Sequence, residues 1–213
     1  MEQFKSYITE AKEEPYRILV ISAEPDNSKL FHTAQRITDE AKKSGHEVYV
    51  VKVEGAIINY DNGIYNISNS DDKKGFEVNI NTVAIIRGSV RLKKSYLDLL
   101  SRLEKIGVCM VNSRQTVSVS SDKYRTYVKL QDFGLNQPKT VLIPNEKTWK
   151  QAVESLDSKF PIIMKTLEGS KGVGVLFIES ERQIESLVQL LYSQNDDVDL
   201  LIQEYIKTDG DIR

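Results

Sequence analysis

Short apolar runs alternating with longer, partly polar stretches restrict this 213-residue chain more than any other feature. YRILVIS (16–22) and EVYVVKV (47–53) are rich in β-branched residues and short enough to be buried strands. The stretch between them ends in KKSGH with Gly45 as a helix stop, so the three segments read as a βαβ unit. VAIIRGS (83–89), a helix over about 93–106 that stops at Gly107, and VCMVN (108–112) continue the pattern. Strands joined through crossover helices lie parallel, which predicts an α/β domain with a mostly parallel sheet over 15–113, behind an N-terminal extension of residues 1–14. INYDNGIYNIS (58–68) is a polar insertion whose Asn62-Gly63, set between alternating residues, signals a hairpin. It reads as decoration on the domain.

Residues 114–213 follow a different order. In SSDKYRTYVKLQDFGL, Ser121 is the expected N-cap, Asp122 falls in the first turn and Gly134 is the stop, which puts Lys123 near a helix start. A strand PKTVLI, a helix over 146–158, a strand PIIMKTL, a strand VGVLFI, a helix over 180–193 and a strand DLLIQEYI complete the series. The expected order is β-α-β-β-α-β, with a glycine-rich hairpin at its centre.

That hairpin, MKTLEGSKGVGVLFI (164–178), carries Gly169, Gly172 and Gly174. A Walker loop is excluded because Val175 and Leu176 follow Gly174, where Lys and Ser or Thr are required. A dinucleotide fingerprint is excluded because VGVLFI favours a strand and not a helix after the glycines. What stays open is an ordinary flexible hairpin or a lid whose backbone N–H groups form an anion nest. Lys165 bears on that choice. Burying an unpaired ammonium in an apolar strand is costly, and a nearby anion would remove the cost.

Composition narrows the partners. Hydrophobic residues make up 40% of the chain, enough for a real core, and the net charge of -2 gives no basic field of the kind that draws nucleic acid. No apolar run approaches the roughly 18 residues of a membrane span, and MEQFKSYITEAKEE is too charged for a signal peptide, so a cytoplasmic protein without membrane partners is expected. One cysteine, Cys109, cannot form an internal disulfide and is expected as a buried core thiol. With two histidines and one cysteine there is no zinc constellation, and no GxSxG supports a hydrolase triad.

SSDK, PIIMKTLEGSKGVGV and LIQEYIKTDGDIR, in that order and at these distances, resemble the ATP-grasp superfamily, and within it the RimK-like amino-acid ligases. The resemblance covers about residues 83–213. It implies an ATP-grasp fold in which the N-terminal α/β domain precedes a lid subdomain and the start of a truncated C-terminal subdomain. It also implies an ATP-dependent carboxylate–amine ligase that adds glutamate or another amino acid through an acyl phosphate. Lys123 and Lys165 would contact phosphate oxygens, and Gly169, Ser170, Lys171, Gly172, Val173 and Gly174 would cover the triphosphate. The backbone around Glu204, Tyr205 and Ile206 would hold adenine, and Asp211 would lie near the ribose and phosphates. Arg213 would lie beside the substrate. Arg87, at the end of a first-domain strand, could pair with a substrate carboxylate or sit in a surface ion pair.

The magnesium ligands of such ligases are expected after the DIR segment, beyond Arg213, so no metal ligand is assigned within this chain and a fragment of a longer ligase is expected. ATP, Mg2+, a carboxylate acceptor (protein tail, peptide or small metabolite) and an amino acid are the implied partners, and a homo-oligomer stays open. The second functional class is a nucleotide-binding module without ligase turnover.

Overall fold

The computed structural model describes residues 15–22, 32–72, 74–87, 94–167, 172–195, 198–208 and 210. The chain divides between Ser118 and Val119 into two compact units.

The first unit contains β1 (Arg17–Ser22), α1 (His32–Lys43), β2 (Glu47–Lys52), β3 (Ile57–Asp61), β4 (Ile64–Ser68), β5 (Phe76–Val78), β6 (Thr82–Arg87), α2 (Lys94–Ile106), β7 (Cys109–Val111) and most of α3 (Arg114–Ser120). Its principal sheet has the order β2-β1-β6-β7 and every pair in it is parallel. β1 lies in the middle and reads as a continuous apolar run because both of its faces are covered. Leu19 and Ile21 join α2 residues Leu99, Leu100 and Leu103 in one buried cluster, while Ile18 and Val20 join Ala34 and Ala41 of α1 in another. The helix spacing follows from this packing: Tyr96, Leu99, Leu100 and Leu103 form a single buried stripe.

Asn62 and Gly63, at φ 49° and 86°, make the expected tight turn between β3 and β4. The insertion is more than decoration, however. A third strand, β5, completes an antiparallel sheet, and Ile67, Phe76 and Val78 are buried in the same cluster as Leu19 and Leu100. Cys109 also departs from expectation: it is exposed. It lies on the edge strand β7, where the preceding Val108 makes the core contact instead.

The second unit runs α4 (Lys123–Asp132), β8 (Thr140–Ile143), α5 (Trp149–Ser155), β9 (Ile162–Thr166), β10 (Val175–Ile178), α6 (Glu181–Gln194) and β11 (Leu200–Glu204). From β8 onward this is the expected β-α-β-β-α-β succession, and its sheet has the order β10-β9-β11-β8 with every pair antiparallel. The expected helix over 146–158 is a 3-10 turn, Glu146–Thr148, followed by α5; positive φ at Asp157 and Ser158 marks the turn beyond it. Ile162, Met164, Ile178, Leu200 and Ile202 point to one side and pack on Trp149 and Val153 of α5 and on Ile184, Val188 and Tyr192 of α6. The opposite side contributes nothing to that cluster.

Candidate functional site

The composition of the second sheet's other side follows from the register. Lys165 stands opposite Val175 and Leu201, Ile163 opposite Phe177 and Gln203, and Gln203 opposite Thr140. Residues paired across antiparallel strands share a face. Val175, Phe177, Ile163, Lys165, Leu201, Gln203 and Thr140 therefore occupy the face turned away from α5 and α6. Period-two alternation in β9 sends Met164 into the core and Lys165 out of it.

A cavity of about 290 Å³ lies on this face, lined by Lys165, Gln203, Thr140 and Leu201 of the sheet and by Lys123, Thr126 and Tyr127 of α4. Lys123 opens α4. Its backbone N–H donates to the Leu167 carbonyl at 3.1 Å, and its Nζ donates to the carbonyls of Thr166 at 2.9 Å and Leu167 at 3.3 Å. The cap is Asp122, one residue later than expected, because its carboxylate accepts from the Arg125 N–H at 2.8 Å. Lys165 Nζ donates to Gln203 Oε1 at 2.7 Å, so the buried ammonium that the sequence left unpaired has a neutral partner within the sheet. Burial first, and then the like charge of Lys123, lowers the Lys165 pKa below the ordinary lysine value. Two cations sharing a half-buried hollow make a site that favours an anion.

The described part of the glycine hairpin begins beside this hollow. Thr166, next to Lys165, donates its N–H to the Gly174 carbonyl at 3.0 Å, and Val175 donates to Gly172 at 3.3 Å. Gly172 and Gly174 sit at φ 79° and 76°. A Cβ on Gly174 would collide with Thr166 Oγ1, whereas one on Gly172 would meet open space. Val173, between them, is 72% exposed. Gly169, Ser170, Lys171, Asp211 and Arg213 lie outside the described residues.

At the end of β11, Glu204 and Lys139 are locked to each other. Glu204 donates its N–H to the Lys139 carbonyl at 2.9 Å, and its Oε1 accepts from the Lys139 N–H at 2.7 Å. The Glu204 carboxylate is thus committed to the backbone. Tyr205 and Ile206 follow, both exposed, and the Tyr205 ring meets Phe177 of β10 edge-on at 5.1 Å between centroids. This gives an apolar surface beside the polar hollow. Phe177 was not singled out from the sequence; its alternation with Val175 carried the signal. Arg87 belongs to the first unit, where it is exposed at the carboxyl end of β6 with Ser22 of β1 as its register partner.

A larger hollow of about 490 Å³ is lined by Glu154, Glu179 and Glu181 among others, and it includes none of the residues expected to act. Among the described residues no group of three or more His, Cys, Asp or Glu could hold a metal ion, and no helix is long and apolar enough to cross a membrane.

Residues 120–213 match the family model of the RimK-like ATP-grasp domain. A protein of Pseudoalteromonas translucida named as a probable alpha-L-glutamate ligase is 30% identical over 190 residues, which cover 88% of this chain and 60% of that relative. One of Methanococcoides burtonii with the same name is 28% identical over 181 residues, covering 84% and 58%. The chain therefore spans about three fifths of the length of these curated relatives. Among solved structures, a RimK domain ATP-grasp protein from Sphaerobacter thermophilus superposes with a TM-score of 0.64 at 18% identity, covering 91% of this chain and 65% of that one. D-alanyl-alanine synthetase A from Vibrio cholerae gives 0.66 at 14% identity, covering 92% and 60%. Fold, motif order and family model point the same way: residues 120–213 match a RimK-like ATP-grasp domain.

Proposed function

We propose that the second unit binds the phosphates of ATP and that the complete protein is an ATP-dependent carboxylate–amine ligase of the RimK type, with glutamate as the amino acid its relatives' names suggest. The observation that carries this reading is the pairing of the Lys123 and Lys165 side chains in one hollow, beside the Thr166–Gly174 hydrogen bond that closes the described part of the glycine hairpin. Both cations would contact phosphate oxygens. Gly172, Val173 and Gly174, with Gly169, Ser170 and Lys171, would cover the triphosphate with backbone N–H groups. The backbone of Glu204, Tyr205 and Ile206 would receive adenine, with Phe177 as its apolar neighbour. Asp211 would serve near the ribose and phosphates, and Arg87 and Arg213 toward the substrate.

In the proposed reaction a carboxylate oxygen of the acceptor attacks the γ-phosphorus and the bond to the ADP oxygen breaks. An amine nitrogen then attacks the acyl phosphate carbon, the C–O bond to phosphate breaks, and the amine proton leaves. The two lysines supply charge to the phosphates during the first step. Mg2+ would add to that charge, and its ligands are expected outside the described residues. A cytoplasmic location and a protein, peptide or metabolite acceptor complete the proposal.

The test is ADP release in the presence of MgATP, a panel of amino acids and candidate carboxylate acceptors, together with ATP titration calorimetry. ATP binding accompanied by amino-acid-dependent ADP release is expected. Binding without release under every combination would favour the nucleotide-binding module, and no binding at all would overturn the reading.

A further inference from the structure

The polar line across this sheet face continues beyond Lys165. Gln203 Oε1 accepts from Lys165 Nζ at 2.7 Å, Gln203 Nε2 donates to Thr140 Oγ1 at 2.8 Å, and Thr140 Oγ1 donates to the Pro138 carbonyl at 2.9 Å. Chemistry at both ends fixes the amide in one orientation. An ammonium has only donors, so it demands the carbonyl oxygen of Gln203. The Thr140 hydroxyl spends its proton on a backbone carbonyl, so it turns a lone pair toward Gln203 and demands the amide nitrogen. Thr140 is buried, and among the described residues Lys165 makes no ion pair.

We infer that Gln203 is a positioning residue for Lys165: a neutral acceptor, itself oriented by Thr140, that holds the ammonium at the hollow without cancelling its charge, leaving that charge for the phosphates of a nucleoside triphosphate. A carboxylate at position 203 would hold the lysine equally well and neutralise it. An apolar residue there would leave the charge and release the geometry. This inference rests on the nucleotide reading for its purpose, but the relay itself can be tested without any nucleotide.

The full chain is labelled with 13C at lysine Cε, the Lys165 resonance is identified by its loss in Lys165→Met, and its titration is followed in the absence of ligand. ATP affinity is measured in parallel by calorimetry. In Gln203→Glu the Lys165 pKa should rise, because a fixed anion stabilises the charged form; in Gln203→Leu it should fall further, because the acceptor is gone. Both variants should bind ATP about tenfold more weakly, and Thr140→Val, which frees the amide to turn, about threefold more weakly. Opposite pKa shifts with losses of affinity in the same direction are a signature that a merely structural glutamine does not give. An unchanged Lys165 titration in both Gln203 variants overturns the inference, as does an affinity within twofold of the parent in all three variants. Thr140→Val keeps the test valid should Gln203→Leu fail to fold. If the parent binds no ATP while the two pKa shifts appear, the relay stands and the nucleotide reading falls.

Discussion

The two principal sheets differ in what lines their faces. The parallel sheet of the first unit packs Leu19 and Ile21 on one side and Ile18 and Val20 on the other, so β1 has no face left for chemistry. Any site there has to sit at strand ends, where Arg87 is. The antiparallel sheet of the second unit commits one side to its helix-backed core, and its other side, where Leu201 is buried, carries Lys165, Gln203 and Thr140 on paired strands around the hollow. A sheet with one polar-lined face can thus place a functional cation within its strands, supported by neighbours on both sides, while a sheet with two apolar faces leaves that work to loops.

The strongest way to break this comparison is to put a lysine where the first sheet has no room for one. Val20→Lys, at a fully buried position, should destabilise the first unit on the order of 4–7 kcal/mol, the scale of a fully desolvated ammonium. Trp149, the chain's single tryptophan, lies in the core of the second unit, so its fluorescence transition in urea should persist while much of the far-UV dichroism of the first unit is lost. Loss of both signals together would show that the two sheets do not stand independently.

The converse exchange is Lys165→Val. It should reduce ATP affinity by about 2–3 kcal/mol through the lost charge contact, while the Trp149 unfolding midpoint stays level or rises because a desolvated charge has been removed. Calorimetry and urea titration on the same samples decide the matter, and equal ATP affinity in variant and parent would remove Lys165 from the site.

Within the hairpin, Gly174→Ala should destabilise the second unit by about 1–3 kcal/mol, since it combines a positive φ with a collision against Thr166. Gly172→Ala, with the same backbone strain but open space, should alter the midpoint by about 1 kcal/mol or less yet still weaken ATP binding. Similar midpoint losses at the two positions would mark the whole turn as structural.

The smallest expected effect is on the pH dependence of stability. Lys165 has a folded pKa below its unfolded value near 10.5, so the unfolded chain binds more protons between the two values and stability rises with pH across that window. Tyr96 in the first unit has the opposite sign: burial raises its pKa, so stability present below about pH 10 is lost as the unfolded phenol ionises. Tyr192 is also raised, so the lysine contribution has to be read as the difference between the parent and Lys165→Val followed through Trp149. A difference that stays flat as pH rises toward 10.5 would contradict the desolvated cation.

Much of this architecture was legible in order and spacing. The apolar runs, the Asn62-Gly63 turn and the β-α-β-β-α-β series were readable because each rests on local pattern. α3 was not, since RQTVSVS is short and rich in Ser, Thr and Val, which hold no helix by propensity. Cys109 was misjudged because an apolar run does not disclose that its strand is an edge. Lys165 stood out from its own strand, but Gln203 did not. Its role appears only once β11 pairs with β9 and brings together residues 38 positions apart, and one sequence carries no direct record of that register.

β11 lies between β8 and β9, yet it is the last of these strands to leave the ribosome. Until residues 200–204 emerge, β8 has no partner and Lys165 faces a gap where Gln203 will stand. The half-made sheet must therefore wait on its latest segment, a closure of high sequence separation that is slow by nature. The anion hollow and the four-stranded sheet arrive in the same event, so a nascent chain stalled before residue 200 presents neither.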